Sequence, residues 1–70
     1  MPEEIISIRV GEIRKERGLS QEELAQKVDV SRQTINALEK GNYFPSLLLA
    51  LKIAQTFDTT VDSIFSLKEE

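Results

Sequence analysis

The stretch Arg32-Gln33-Thr34-Ile35-Asn36-Ala37-Leu38-Glu39-Lys40 holds the side chains of this chain best suited to recognition chemistry. Set on an α-helix with Arg32 at 0° and about 100° per residue, Asn36, Lys40, Gln33 and Ala37 fall at roughly 40°, 80°, 100° and 140°, while Leu38 and Ile35 fall near 240° and 300°. One face is polar and the other is made for a core. A polar face of this kind matches base edges in the major groove of DNA: arginine forks onto guanine, glutamine and asparagine pair with adenine, and a small alanine fits against a thymine methyl. A groove about 12 Å wide admits such a helix. The competing reading is an ordinary amphipathic helix with a solvated face. What favours base reading is the setting: a capped helix and a tight turn precede this second capped helix, whose short polar arc is uncharged at Gln33 and Asn36 and free of acid apart from Glu39 at its margin.

Other chemistries are poorly supplied. The chain has no cysteine and no histidine, which removes thiolate zinc sites, disulfides and imidazole catalysis. Glu22 and Glu23 are adjacent, about 100° apart on a solvated helix face, with nothing to suggest a pocket or an activated nucleophile. No enzyme activity, cofactor, metal or small-molecule substrate is expected. The net charge of −3 is at first sight wrong for a DNA partner. Its distribution is not. From Ile5 to Phe57 the basic residues (Arg9, Arg14, Lys15, Arg17, Lys27, Arg32, Lys40, Lys52) outnumber the acidic ones (Glu12, Glu16, Glu22, Glu23, Asp29, Glu39) by two. The excess acid is terminal: Glu3, Glu4, Asp58, Asp62, Glu69 and Glu70 against Lys68. A domain this weakly basic should hold non-specific DNA poorly and depend on base contacts and dimerisation.

Seventy residues make one domain, read here as residues 1–70 with a core at about 5–65 and a short acidic tail at 66–70. The punctuation divides it into five helical segments and requires no strand. The first opens at Pro2 with Glu3 and Glu4, stacks Ile6, Val10 and Ile13 in one stripe, and ends at Gly18; Ile5 and Ile8 lie off the stripe, leaving its start open. The second has Ser20 and Glu23 at capping-box spacing and puts Leu24, Ala25 and Val28 on one face. After Asp29-Val30, Ser31 caps the third, which Gly41-Asn42 ends. Ser46 caps a fourth in which Leu47, Ala50, Leu51, Ala54 and Phe57 form the apolar arc, and Thr60 caps a fifth bearing Val61, Ile64 and Phe65. The fold class is all-α. The longest apolar run, Leu47 to Leu51, is far too short to span a bilayer, and Met-Pro-Glu-Glu is not the start of an export signal, so a cytoplasmic protein without a membrane partner is expected.

Leu19-Ser20-Gln21-Glu22-Glu23-Leu24-Ala25-Gln26-Lys27-Val28 and Ser31-Arg32-Gln33-Thr34-Ile35-Asn36-Ala37-Leu38-Glu39-Lys40-Gly41 resemble the Cro/C1 (Xre-type) helix-turn-helix domains of phage repressors and bacterial regulators. The likeness runs from about Val10 to Phe65 and takes in Tyr43-Phe44-Pro45-Ser46 and Leu51-Lys52-Ile53-Ala54. It implies a compact five-helix, lambda-repressor-like domain in which the second and third helices form the helix-turn-helix of a double-stranded-DNA-binding regulator, most simply a repressor. Position by position it implies that Arg32 and Gln33 read bases with Asn36 and Ala37. It also implies that Gln21 binds a phosphate and helps orient Gln33, and that Ser31, Thr34, Lys40, Asn42 and Tyr43 line the sugar-phosphate backbone. The alternatives stay open: Gln21 and Ser31 as simple capping residues, and Arg32 on phosphate alone.

Arg14 and Glu39 stand where relatives pair the first and third helices, a structural ion pair. The clearest departure is Asp29, where the family usually has glycine. Relatives bind palindromic operators as homodimers, for which helix five and the tail (Phe65, Leu67), with Leu48, are the candidate surface. An antitoxin or restriction-system controller of the same fold, and a protein-interaction module that binds no DNA, are the alternative functions.

Overall fold

A computed structural model describes residues 6–68. The elements follow in the order β1 (Ile6–Ile8), α1 (Val10–Glu16), α2 (Gln21–Val28), α3 (Arg32–Glu39), α4 (Leu47–Phe57), α5 (Val61–Ile64) and β2 (Phe65–Leu67). The architecture is that of the all-helical five-helix domain, with a small addition: β1 and β2 pair antiparallel, Ile6 opposite Leu67, Ser7 opposite Ser66 and Ile8 opposite Phe65. Alternation explains the sheet, since Ile-Ser-Ile and Phe-Ser-Leu each put two apolar side chains on one face and a serine on the other.

Three expectations are corrected here. Ile6 does not extend the helical stripe of Val10 and Ile13, because α1 begins only at Val10; Phe65, expected on the fifth helix, opens β2 because α5 ends at Ile64; and Ser66 and Leu67 continue that strand where a tail was expected. The proposed start at Pro2-Glu3-Glu4 lies outside the described residues.

The helix ends are fixed by local hydrogen bonds. Ser20 and Glu23 form the reciprocal capping box: the Glu23 N–H donates to Ser20 Oγ at 3.0 Å and the Ser20 N–H donates to Glu23 Oε1 at 2.8 Å. Ser31 caps α3 through the Thr34 N–H (3.2 Å), and Ser46 caps α4 through the Leu49 N–H (3.1 Å). Thr60 accepts no such bond; its hydroxyl pairs instead with that of Ser63 at 2.8 Å. Gly41, at φ 80°, ends α3 in a Schellman motif, with Asn42 N–H donating to Ala37 O at 2.9 Å and Gly41 N–H to Leu38 O at 3.1 Å. The turn between α2 and α3 is made by Asp29 in the left-handed region (φ 65°, ψ 45°), with the Val30 N–H donating back to Ala25 O at 3.0 Å. Asp58 takes the same conformation after α4.

The core gathers Val10 and Ile13 of α1, Leu24, Ala25 and Val28 of α2, Ile35 and Leu38 of α3, Leu49, Ile53, Ala54 and Phe57 of α4, and Ile64. Ala25, 2% exposed, is small enough for a neighbouring helix to pack closely on α2. On α4 the buried face differs from the expected one. Leu49, Ala50, Ile53, Ala54 and Phe57 are buried, whereas Leu47 and Leu51 are 73% and 51% exposed. With Leu47 at 0°, the buried arc spans roughly 200° to 340°, about 70° around from the arc that Leu47 and Leu51 would have marked.

Asp29 carries both a backbone that favours glycine and a negative charge at the C-terminal end of α2, where the helix dipole disfavours it. Asp29→Gly relieves both and loosens the unfolded chain, so a net stabilisation of about 0.5 kcal/mol is expected, read as a rise in the thermal unfolding midpoint. A fall would show that Asp29 makes a compensating native contact.

Candidate nucleic-acid interface

The helix α3 lies with Ile35 and Leu38 fully buried and its polar face outward. Arg32, Gln33 and Lys40 are exposed, and their side chains make no hydrogen bond or ion pair within the described residues. Thr34, Asn36 and Ala37 are half-buried beside them. Ser31, exposed at the start of the helix, has its hydroxyl engaged with both the N–H and the hydroxyl of Thr34. Asn42 and Tyr43 follow at the far end, both exposed.

Behind this face stands a polar cluster centred on Glu39. The Arg14 guanidinium donates to it twice, Nε to Oε2 at 2.7 Å and Nη2 to Oε1 at 3.2 Å, and its Nη1 donates to Leu19 O at 2.8 Å. The Gln21 amide donates to Glu39 Oε1 at 3.0 Å and to Asn36 Oδ1 at 3.4 Å. The two charged side chains are 11% and 12% exposed. An ion pair this sheltered escapes most of the screening that makes surface pairs weak. Burial pushes the Glu39 carboxyl pKa up, but the hydrogen bonds from Arg14 and Gln21, with the positive charges of Arg14 and Lys15, outweigh it and hold the group below its ordinary value. The bond to Glu39 in turn raises Arg14.

Gln21 is thus tied to Asn36 and Glu39, where the sequence pointed to Gln33, and both of its N–H donors are taken inside the protein. Gly11 completes the cluster and went unremarked in the sequence. A Cβ there would stand 3.0 Å from Glu39 Oε1, so the first turn of α1 gives up a side chain to let the carboxylate approach.

Of the candidate dimer residues, Leu67 (73% exposed) lines a shallow groove with Ile6, Phe65, Asp62 and Ser66. Phe65 is half-buried against the core. Leu48 (63% exposed) shares a different groove with Val30, Tyr43 and Lys52, beside the helix-turn-helix.

The family model for helix-turn-helix domains matches residues 10–64. The chain belongs to the Cro/C1-type helix-turn-helix family. This Cro/C1-type domain is 52% identical over 62 residues, covering 89% of this chain and 94% of the relative, to the uncharacterized HTH-type transcriptional regulator YgzD of Bacillus subtilis. Among solved structures, it superimposes on the restriction-modification controller protein C.AhdI of Aeromonas hydrophila with a TM-score of 0.72 at 36% identity, over 76% of this chain and 80% of that one. It also matches SinR, the master regulator for biofilm formation, in complex with DNA, with a TM-score of 0.73 at 30% identity, over 79% of this chain and 89% of that one; the DNA-binding domain of SinR comes from Bacillus subtilis. The Cro/C1-type domain is therefore a DNA-binding helix-turn-helix module of the transcriptional-regulator kind.

Because the folded-state pKa of Glu39 is depressed, its contribution to stability is complete above the unfolded value near 4.5 and is lost as pH falls through the folded one. Glu39→Gln is expected to cost about 2 kcal/mol at pH 7, with the gap to the parent narrowing steadily below pH 4.5. Denaturant unfolding of both proteins across that window checks it; the depressed carboxyls of Glu12 and Glu23 titrate in both and cancel. A gap independent of pH would contradict the ionic role of Glu39.

Proposed function

We propose that this domain is a sequence-specific reader of duplex DNA that inserts α3 into the major groove and represses transcription as a homodimer on a palindromic operator. The observation that carries it is the state of the α3 face: Arg32, Gln33 and Lys40 stand exposed without partners among the described residues, while the one acid of α3, Glu39, is turned inward and neutralised by Arg14. Arg32 and Gln33, with Asn36 and Ala37, are the base-reading residues. Lys40, Asn42, Tyr43, Thr34 and Ser31 position the domain on the backbone. Gln21 spends its side-chain N–H groups inward, so its phosphate contact is proposed through the backbone N–H at the start of α2. The proposal is that the protein works in the cytoplasm without enzymatic activity or a small-molecule substrate. Among the described residues no helix is long and apolar enough to cross a membrane. The likeness to C.AhdI keeps a restriction-system controller as the second reading, with the same chemistry on DNA.

A single domain reaches only a few base pairs, too little for genomic specificity, which is the reason to propose a second copy of this chain as partner. Leu67 and Phe65 remain the candidate contacts. Leu47, Leu51 and Phe44, all at least half exposed, add apolar surface that the core does not use. Leu48 is the third candidate contact, in the groove it lines with Val30, Tyr43 and Lys52.

Fluorescence anisotropy on the fragment upstream of the gene, and on duplexes selected from random sequence, tests the reading. Affinity is expected to fall steeply with salt, and Arg32→Ala and Gln33→Ala are each expected to cost about 1 to 3 kcal/mol of discrimination. Failure to bind any duplex at low salt would exclude DNA reading and leave a protein-interaction module. Sedimentation equilibrium with and without operator is expected to show a dimer at least on DNA; one protomer per operator would overturn the homodimer.

A further inference from the structure

The chain of hydrogen bonds behind α3 has a direction, and that direction bears on what Asn36 reads. It begins with a fixed charge. Arg14 can only donate, so Glu39 is held as an acceptor, at 2.7 Å and 3.2 Å. Glu39 then decides how the Gln21 amide lies, because turning that amide would bring its oxygen against a carboxylate; the nitrogen faces Glu39 Oε1 at 3.0 Å. The second hydrogen of the same nitrogen points at Asn36 Oδ1, 3.4 Å away. Turning Asn36 would in its turn set two NH2 groups against each other. Its carbonyl oxygen is therefore held inward, and its NH2 group, without a partner among the described residues, is the part left for the groove.

Resting on the reading of α3 as a major-groove helix, we propose that Asn36 acts as a donor only and that Gln21 is the residue that makes it so. An asparagine free to use both ends pairs with adenine, whose edge offers N7 as acceptor and N6 as donor. A donor-only amide instead suits guanine, with acceptors at O6 and N7, or thymine, with O4. The adenine N6 amino group then meets no acceptor on Asn36. Gln21 is a positioning residue: it touches no base, and it fixes the preference at one base pair.

The test uses the full chain and duplexes selected from random sequence. The base pair read by Asn36 is the one whose preference relaxes in Asn36→Ala. At that pair the parent protein is expected to favour guanine or thymine over adenine by about tenfold. Gln21→Met, which keeps length and cannot donate, is expected to bring adenine up to parity while other positions keep their preferences. A measurement on the parent protein alone makes the test independent of any folding defect: with adenine placed at that pair, deleting its 6-amino group is expected to leave affinity unchanged or improve it. A tenfold loss on that deletion, or a parent preference for adenine, would overturn the proposal, as would an unaltered base preference in folded Gln21→Met. Selection that enriches no sequence at all would instead remove the DNA-reading function, a result distinct from a bound operator with the wrong base.

Discussion

The arrangement of the recognition helix depends on one sheltered carboxylate. Glu39 draws a guanidinium from α1 and an amide from α2 onto α3, and through the same Arg14 it reaches the carbonyl of Leu19 in the loop between the first two helices. Taking a carboxylate out of water is costly, and here the cost is offset by a short two-pronged bond to arginine and a third bond from Gln21. Hydrophobic contacts of Ile35 and Leu38 hold α3 against the core but allow some rotation about its axis. Directional bonds to Glu39 do not. Gly11 makes room for them, since any larger residue brings an atom to 3.0 Å from the carboxylate.

That same cluster reconciles an acidic chain with an anionic partner. An acid at the margin of a DNA-facing helix would repel phosphate if it were solvated and unpaired. Folded inward against Arg14 it contributes little field to the outer face of α3, where Arg32 and Lys40 dominate. Other acids of the described segment are engaged elsewhere, among them Glu23 in the capping box of α2, Glu12 with Arg9, and Asp29 in a left-handed turn. On the proposed reading, weak net charge has a physical consequence for function, because little counterion release is available without specific seating on an operator.

Much of this was legible in the sequence wherever the signal was local. Ser20 with Glu23, Ser31, Ser46 and Gly41 mark helix ends by hydrogen bonds to residues three to five positions away, and short-range chemistry of that kind is visible in a string of residues. The two faces of α3 were equally plain, since Ile35 and Leu38 are its only large apolar residues. The α4 helix was not: five apolar residues in Leu47–Leu51 mark a stripe in almost any direction, and only the packing of α2 and α5 selects the Leu49-Ile53-Phe57 side. The β1–β2 pair escaped because three residues of alternation also fit a helix, and its pairing joins positions some 60 apart, as from Ile6 to Leu67. Gln21 stood out in the sequence but its partners did not, because which amide it meets on α3 depends on the crossing of two helices. Gly11 carried no signal, since its role is defined by a side chain on another helix.

The most direct test of the coupling between this cluster and the recognition face is NMR on the full chain as an operator duplex is added, following backbone amides together with the side-chain amides of Gln21, Gln33 and Asn36 and the Nε–H of Arg14. The largest changes are expected along Arg32, Gln33, Asn36 and Ala37. The Arg14 Nε–H should stay protected from exchange throughout, as a bond to Glu39 preserved in the complex requires. Largest changes on the Leu47–Leu51 face, or loss of protection at Arg14 on binding, would contradict a recognition helix held in place from behind by Glu39.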